Sequence, residues 1–368
     1  MTRFQVVTGS RAGEALNLRV GETVEVLGEA EIMATLDEKG ELDRLPFMPE
    51  MLAFCGRRLT VHKVAHKLCD TIGGSGMRRM ERAVHLSGAR CDGQAHGGCQ
   101  TACQFYWKEA WLKRVDPTSS ASDSPVPTSL TPTSPIPDPS SVASSAAFVG
   151  ENGLAAGRPL LPILQAATRK EPGPDGEERF SCQATELLRA APTCLPFKDV
   201  RQYVTDVRSG NVGVPWMLRS FLVGLFNRFQ QVAKRVLPRW MWIKGGMRWG
   251  FVRGEAGRTT PTLSLDLRPG ELVRVKSKEE ILKTLNDDLL NRGMGFEEEM
   301  SRYCGHVARV SARVEKCLDE KTGRMLRMKN PCIILDGVIC AGAYNVSCPR
   351  EFVPFWREIW LERVEEPG

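Results

Sequence analysis

The chain has 368 residues, of which 42% are apolar and 26% charged, with 50 Lys and Arg against 44 Asp and Glu and a formal net charge of +6. That length predicts two or three domains, and that composition a soluble globular class. The basic excess is too small to argue for nucleic acid by itself, and no stretch reaches the ~18 uncharged apolar residues of a membrane span.

The opening MTRFQVVTGSRAGEALNL lacks an apolar core of secretory length, so a cytoplasmic protein is expected. Twelve cysteines in such a compartment point to metal ligation or buried thiols rather than to disulfides.

From Leu18 onward the chain contains itself twice. Leu18 to Val115 lies on Leu267 to Val364 without a gap, at a constant offset of 249 residues, and about a third of the paired positions are identical. GETVEV meets GELVRV, FCG meets YCG, and WKEAWLKRV meets WREIWLERV. A gapless repeat of this length predicts a duplicated domain, residues 18–115 and 267–364.

Within each copy the elements repeat as well. Thr23 to Val26 and Leu272 to Val275 alternate as short strands. A short helix follows, and in the second copy Ser277 and Glu280 stand at capping-box spacing. Pro49 suits the first turn of a further helical segment ending at Cys55 and Gly56. Leu59 to Lys67 reads as a strand, paired across the turn Gly73 to Gly76 with the stretch around Met80 to Leu86. Asp319 to Gly323 supplies the turn in copy two, and each copy closes on two tryptophans, Trp107 and Trp111 or Trp356 and Trp360.

Asp116 to Ser145 is rich in Pro, Ser and Thr, has no apolar face, and predicts a disordered linker over residues 116–147. Arg169 to Glu178 is a second loop. Between it and the second copy lies a middle region, 180–260. There Leu218, Leu222, Leu225, Phe229, Val232 and Val236 step by fours and threes along one helix from Pro215 to Leu237. Pro238 ends it. Such a seam is expected to pack against protein, either the repeat domains or a second copy of itself, because Arg219 and Arg228 bracket too short an apolar run to span a bilayer.

These elements predict an α+β, mostly β fold: tandem duplicated small β-barrel-like domains with a helical middle region. The GE-x-V-x-V opening at Gly21 to Val26 and Gly270 to Val275 is similar to the first strand of SH3-like barrels, and the resemblance covers those residues alone.

The cysteines carry the chemistry. Cys91, His96, Cys99 and Cys103 place two kinds of zinc ligand within thirteen residues, among glycines that let a loop wrap an ion. Iron or an iron–sulfur cluster is a less favoured occupant, for want of a familiar cluster spacing. Copy two keeps Cys340 and Cys348 but has Asn345 opposite His96 and Phe352 opposite Cys103. What both copies share is a trio: Cys55, Cys91 and Cys99, or Cys304, Cys340 and Cys348. Each trio is a candidate ligand set, completed by Cys69, His96 or Cys103 in the first copy and by Cys317 or Cys332 in the second. The competing reading is inherited packing, since free Cys is a small, usually buried hydrophobe. Cys182 and Cys194 show no ligand spacing and read as core thiols.

Other candidates weigh less. His62, His66 and Cys69 could pair a nucleophile with a base, but nothing matches them in copy two. Glu109 and Glu358 read as structural partners of Arg114 and Arg363. Asp70 and Asp319 read as turn residues. Trp240, Trp242 and Trp249 among Arg239, Lys244, Arg248 and Arg253 suggest base stacking or a membrane-surface segment over 215–253, set against a strand whose tryptophans alternate inward. No phosphate-loop, dinucleotide, zincin or serine-elbow motif is present. The expectation is a zinc-stabilised tandem-domain binding or scaffold protein with a protein or nucleic-acid partner. The alternative is a metal-dependent enzyme with its site in the first copy.

Overall fold

In the computed structural model, which describes residues 15–115, 159–249 and 253–365, the period-2 segments become strands Thr23–Val26 and Leu272–Val275. Each sits inside an antiparallel sheet. In the first half the order is Trp107–Lys108, Ala83–Leu86, Arg58–Val64, Thr23–Val26, Leu112–Arg114; in the second it is Met325–Leu335, Val307–Leu318, Leu272–Val275, Leu361–Arg363. The fold is therefore mixed, with short helices inserted among antiparallel sheets.

The hydrogen-bond register of the two halves agrees residue for residue. Thr23 faces Thr60 and Val24 faces Arg114; Leu272 faces Arg309 and Val273 faces Arg363. A one-residue slip would turn every side chain to the other face, so equal register means equal placement of the core. Buried Trp111 donates its indole N–H to Thr35 Oγ1 at 3.1 Å, and Trp360 does the same to Thr284 at 2.9 Å. Trp107, Trp111, Trp356 and Trp360 are all fully buried, and each removes ~150–250 Å² from water.

Several local expectations hold. Ser277 and Glu280 form the capping box at the short helix Lys278–Leu282. Asp70 Oδ1 accepts the N–H groups of Ile72 and Gly73, and Asp319 Oδ1 accepts that of Lys321. The strand after the FCG motif is split. Arg58–Val64 pairs with Ala83–Leu86, and a separate strand, Lys67–Cys69, pairs with Met77–Arg79.

The expected Glu–Arg pairs are not the ones formed. Arg114 and Arg363 bind Glu22 and Glu271. Glu109 instead accepts the backbone N–H groups of Leu16 and Leu18, and Glu358 those of Leu265 and Leu267. A buried carboxylate that accepts such donors fastens the entering chain to the sheet, a stronger use than an exposed ion pair.

The halves also meet reciprocally. Cys69 N–H points to Cys348 Sγ at 3.2 Å, and Leu318 N–H to Cys99 Sγ at 3.4 Å, the same contact with the roles of the halves exchanged. Thr71 Oγ1 and Glu320 Oε2, at corresponding positions, touch each other at 2.5 Å. Contact between corresponding positions is what a local two-fold axis requires.

Leu160 and Leu164, with Phe180, Cys182 and Leu187 of the middle region, join the apolar core of the first half, while the second half keeps a core of its own. Arg169–Lys170 and Arg179–Phe180 pair as a small hairpin around the polar loop. The proposed linker, 116–147, lies outside the described residues.

The long helix spans Val214–Val236, within a residue of its predicted bounds, but its apolar seam does not pack on the repeat domains. Ser220, Val223, Gly224, Gln230 and Ala233 face inward, Gly224 leaving room for Phe197, whose ring a Cβ there would meet at 2.5 Å. The seam faces outward: Leu222 is 54% exposed and Phe229 49%. Periodicity identifies an apolar stripe but not what covers it. Nor is there a strand of inward tryptophans beyond it. Arg239–Met241 is a single 3₁₀ turn, Ile243–Gly246 is a kinked turn in which Lys244 and Gly245 take positive φ, and Trp240 is 83% exposed.

Candidate metal centre

Two pieces of chain build the site. The first is the 3₁₀ segment Pro49–Phe54, started by its proline and carrying Glu50. The second is the loop between Arg90 and Gln104, which are joined by a β-bridge. Cys91 N–H donates to Cys103 O at 2.9 Å and Gly98 N–H to Gly93 O at 2.8 Å, so the loop closes twice on itself. Gly93 makes this possible. Its φ is +74°, and a Cβ there would lie 1.9 Å from Cys99 O.

Inside the loop, His96 is buried at 2% exposure, with Nε2 3.5 Å from Cys91 Sγ and Nδ1 3.1 Å from Glu50 Oε1. These three are the only group of three or more His, Cys, Asp or Glu ligand atoms within 4.8 Å of one another among the described residues. Cys99 is buried in the same loop, and its Sγ lies 3.2 Å from Thr101 Oγ1. A small cavity of about 50 Å³ adjoins, lined by Cys91, His96, Cys99, Cys103, Cys182 and Arg350 among others.

The ionisable groups of the site perturb one another. Burial pushes His96 down, but its hydrogen bonds with Cys99 and Glu50 prevail and raise it to about 9. Burial pushes the Cys99 thiol up, and the contacts with His96 and Thr101 outweigh it and bring it below the ordinary range. Glu50 is likewise lowered, because His96 outweighs its burial. Cys91 is driven well above the usual thiol range by burial. Metal binding at such a site would compete with protons, because an ion takes imidazole and thiol ligands in their deprotonated forms.

The donor set fits zinc. On a tetrahedral ion, S and N ligands at ordinary bond lengths stand ~3.5 Å apart, the separation of Cys91 Sγ and His96 Nε2. Glu50 sits on the far nitrogen, where carboxylates orient metal-bound imidazoles. Glu50 Oε2 is buried without a hydrogen-bond partner, and so are Trp107 Nε1 and Tyr106 Oη in the same half.

The second half repeats the loop but not the site. Cys340 N–H donates to Phe352 O at 2.8 Å and Ser347 N–H to Gly342 O at 2.9 Å. Glu299, opposite Glu50, is spent on the N–H groups of Ala341 and Ala343 and on Arg302. Cys340 lies near that carboxylate, and burial followed by its charge pushes the thiol up to about 12.

The shared trios do not assemble. Cys55 and Cys304 follow their 3₁₀ turns and pack beside their own cores, and burial raises Cys55 to about 11. Cys348 lies instead against Cys69. Its burial is outweighed by the hydrogen bond from Cys69 and the charge of Arg350, which bring it down to about 7. Cys103 lines the cavity, pushed up by burial. Cys317 and Cys332 lie on the second-half hairpin, and burial pushes each up to about 11.

One residue at this site escaped sequence reasoning, whereas Cys182, which lines the adjoining cavity, packs in the core as expected of it. Glu50 is 41 positions from Cys91, yet it is one of the identities between the copies, at Glu299, and that was its one signal. Cys182 arrives from the middle region and has no counterpart in the repeat. His62 and His66 hydrogen-bond to Glu351 at 2.6 Å and Asp206 at 2.8 Å rather than facing Cys69 as base and nucleophile. All twelve cysteines are free thiols, and among the described residues no helix is long and apolar enough to cross a membrane. Comparison with known proteins finds no matching family model, no matching curated protein and no matching solved structure.

Proposed function

We propose that the chain is a zinc-stabilised, tandem-domain binding protein in which Cys91, His96 and Cys99 hold the ion and Glu50 orients the imidazole. The observation that carries this is the buried Glu50–His96–Cys91 array, with ligand spacing suited to a tetrahedral ion. We read each half as one copy of a duplicated, SH3-like small domain, supported by the equal registers at an offset of 249 residues. The second copy, without His96 and Cys103, is the structural one. Twelve free thiols accord with a cytoplasmic home.

Zinc here would tie the loop to the 3₁₀ segment and so contribute directly to folding. The test is thermal melting with and without a strong chelator. Chelation should lower the melting temperature of the wild type and leave that of Cys91→Ser, already lowered, unchanged. An identical wild-type melt in chelator would refute the proposal.

A second reading has one observation in its favour. Three protein donors beside a cavity that holds Arg350 are what a catalytic zinc needs for an open fourth position. If the site is catalytic, cobalt substitution should give a spectrum that shifts on adding azide, an exogenous ligand. A spectrum indifferent to azide favours the closed, structural site.

A further inference from the structure

The long helix Val214–Val236 is amphipathic in the unusual sense, with its small and polar side on the protein and its large apolar side in water. Leu218, Leu222, Leu225, Phe229, Val232 and Val236 form that outward stripe, from 49% exposed at Leu225 and Phe229 to 74% at Val236. At 1.5 Å per residue its 23 residues extend about 35 Å. Beyond it the two short turns add Trp240, 83% exposed, and Ile243, 49% exposed.

Charge identifies what covers this stripe. Between Val214 and Trp249 there are seven Lys and Arg, all exposed, and no Asp or Glu. Some of these cations lie over aromatic rings: Arg239 is 5.9 Å from the Trp242 centroid and Lys244 5.0 Å from that of Trp249. A second copy of the same face would bring like charges together, and a nucleic acid would leave the Leu, Phe and Val side chains uncovered. An apolar stripe edged by cations and tryptophans, on a helix not long and apolar enough to span, matches an interfacial helix.

We propose that residues 214–249 dock this chain on an anionic phospholipid surface, with the helix lying in the plane of the headgroups and its apolar stripe turned into the acyl boundary. The burial of Ser220, Gly224 and Gln230 against the rest of the chain means that the helix need not turn over to bind. Lys and Arg near an anionic leaflet each add to the attraction, and the stripe supplies the apolar part.

The test is co-sedimentation of the full chain with phosphatidylcholine vesicles, with or without phosphatidylglycerol. Binding should require phosphatidylglycerol and weaken as salt is raised. Leu222→Ser with Phe229→Ser, two residues half in water, should lower the partition coefficient at least about tenfold with no change in melting temperature. Arg228→Glu with Arg235→Glu should lower it comparably. Failure of the wild type to sediment with phosphatidylglycerol vesicles would overturn the proposal, as would full binding by the Leu222/Phe229 variant. So would a wild-type dimer that this variant converts to monomer in size-exclusion chromatography, because the stripe would then belong to a second copy.

Discussion

Lys67→Met should be among the most destabilising single changes in this chain. The Lys67 ammonium is fully buried and donates to Asp206 Oδ2 at 2.5 Å and to Val346 O at 2.7 Å, beneath the ring of Tyr203. One cation thereby joins the first half, the middle region and the loop of the second half. Removing it leaves the Asp206 carboxylate, also fully buried, with only the hydrogen bond of His66 Nε2 at 2.8 Å from that side. Breaking one side of such a pair costs about 3–5 kcal/mol. Replacing both sides with apolar groups costs far less, so Lys67→Met with Asp206→Leu should recover most of the loss. Lys316 occupies the corresponding place in the second half, is only half-buried, and reaches toward Gly98. Lys316→Met should therefore cost less than about 1 kcal/mol. Chemical denaturation of the four proteins measures this. A Lys67→Met variant within about 1 kcal/mol of wild type, or a double variant no better than the single one, would refute the reasoning.

Other expectations follow from the same geometry. Gly93→Ala puts a Cβ against Cys99 O and should open the ligand loop and abolish zinc retention, whereas Gly88→Ala, with φ +72° but nothing within 4 Å, should cost about 1–2 kcal/mol and keep the metal; equal metal content in both would contradict this. His85 is buried with Nδ1 2.8 Å from Phe105 O, and burial holds its pKa down at about 4. Its neutral form is the folded one, so its contribution is complete above an unfolded pKa of about 6.5 and is lost as pH falls toward 4, reaching about 3 kcal/mol. His85→Asn should flatten stability against pH over that interval, and an unchanged slope would show that His85 is not the group responsible. Glu186, lowered to about 2 because Lys170 and Arg189 outweigh its burial, should lose its contribution as pH falls from about 5 toward 2, so Glu186→Gln should leave the slope from about 6.5 to about 5.5 as it is and flatten it below that.

Much of the framework was legible because it rests on short-range chemistry. The offset of 249 residues predicted the shared register, since identical alternation buries identical faces. Asp70, Ser277 and Pro215 announced a turn, a cap and a helix start through bonds made within a few residues. The rest depends on encounters that no local pattern encodes. Glu50 reaches His96 only because the 3₁₀ segment packs under the loop. Cys55 shares a repeat position with Cys304, and each packs beside the core of its own half. Cys348 was aligned with Cys99 and does play the same part, but as a contact across the halves, toward Cys69. The helix shows the same limit from the other side. The sequence contains the stripe, and only the packing of Phe197 against Gly224 decides that the stripe is left in water.

The claim that this loop is a metal centre is tested most directly by elemental analysis of the full chain purified without added metal. About one equivalent of zinc per chain is expected. It should be lost in Cys91→Ser and His96→Ala and retained in Cys340→Ser and Cys55→Ser. Less than about a tenth of an equivalent of any transition metal in the wild type, or equal zinc in all five proteins, would contradict the account.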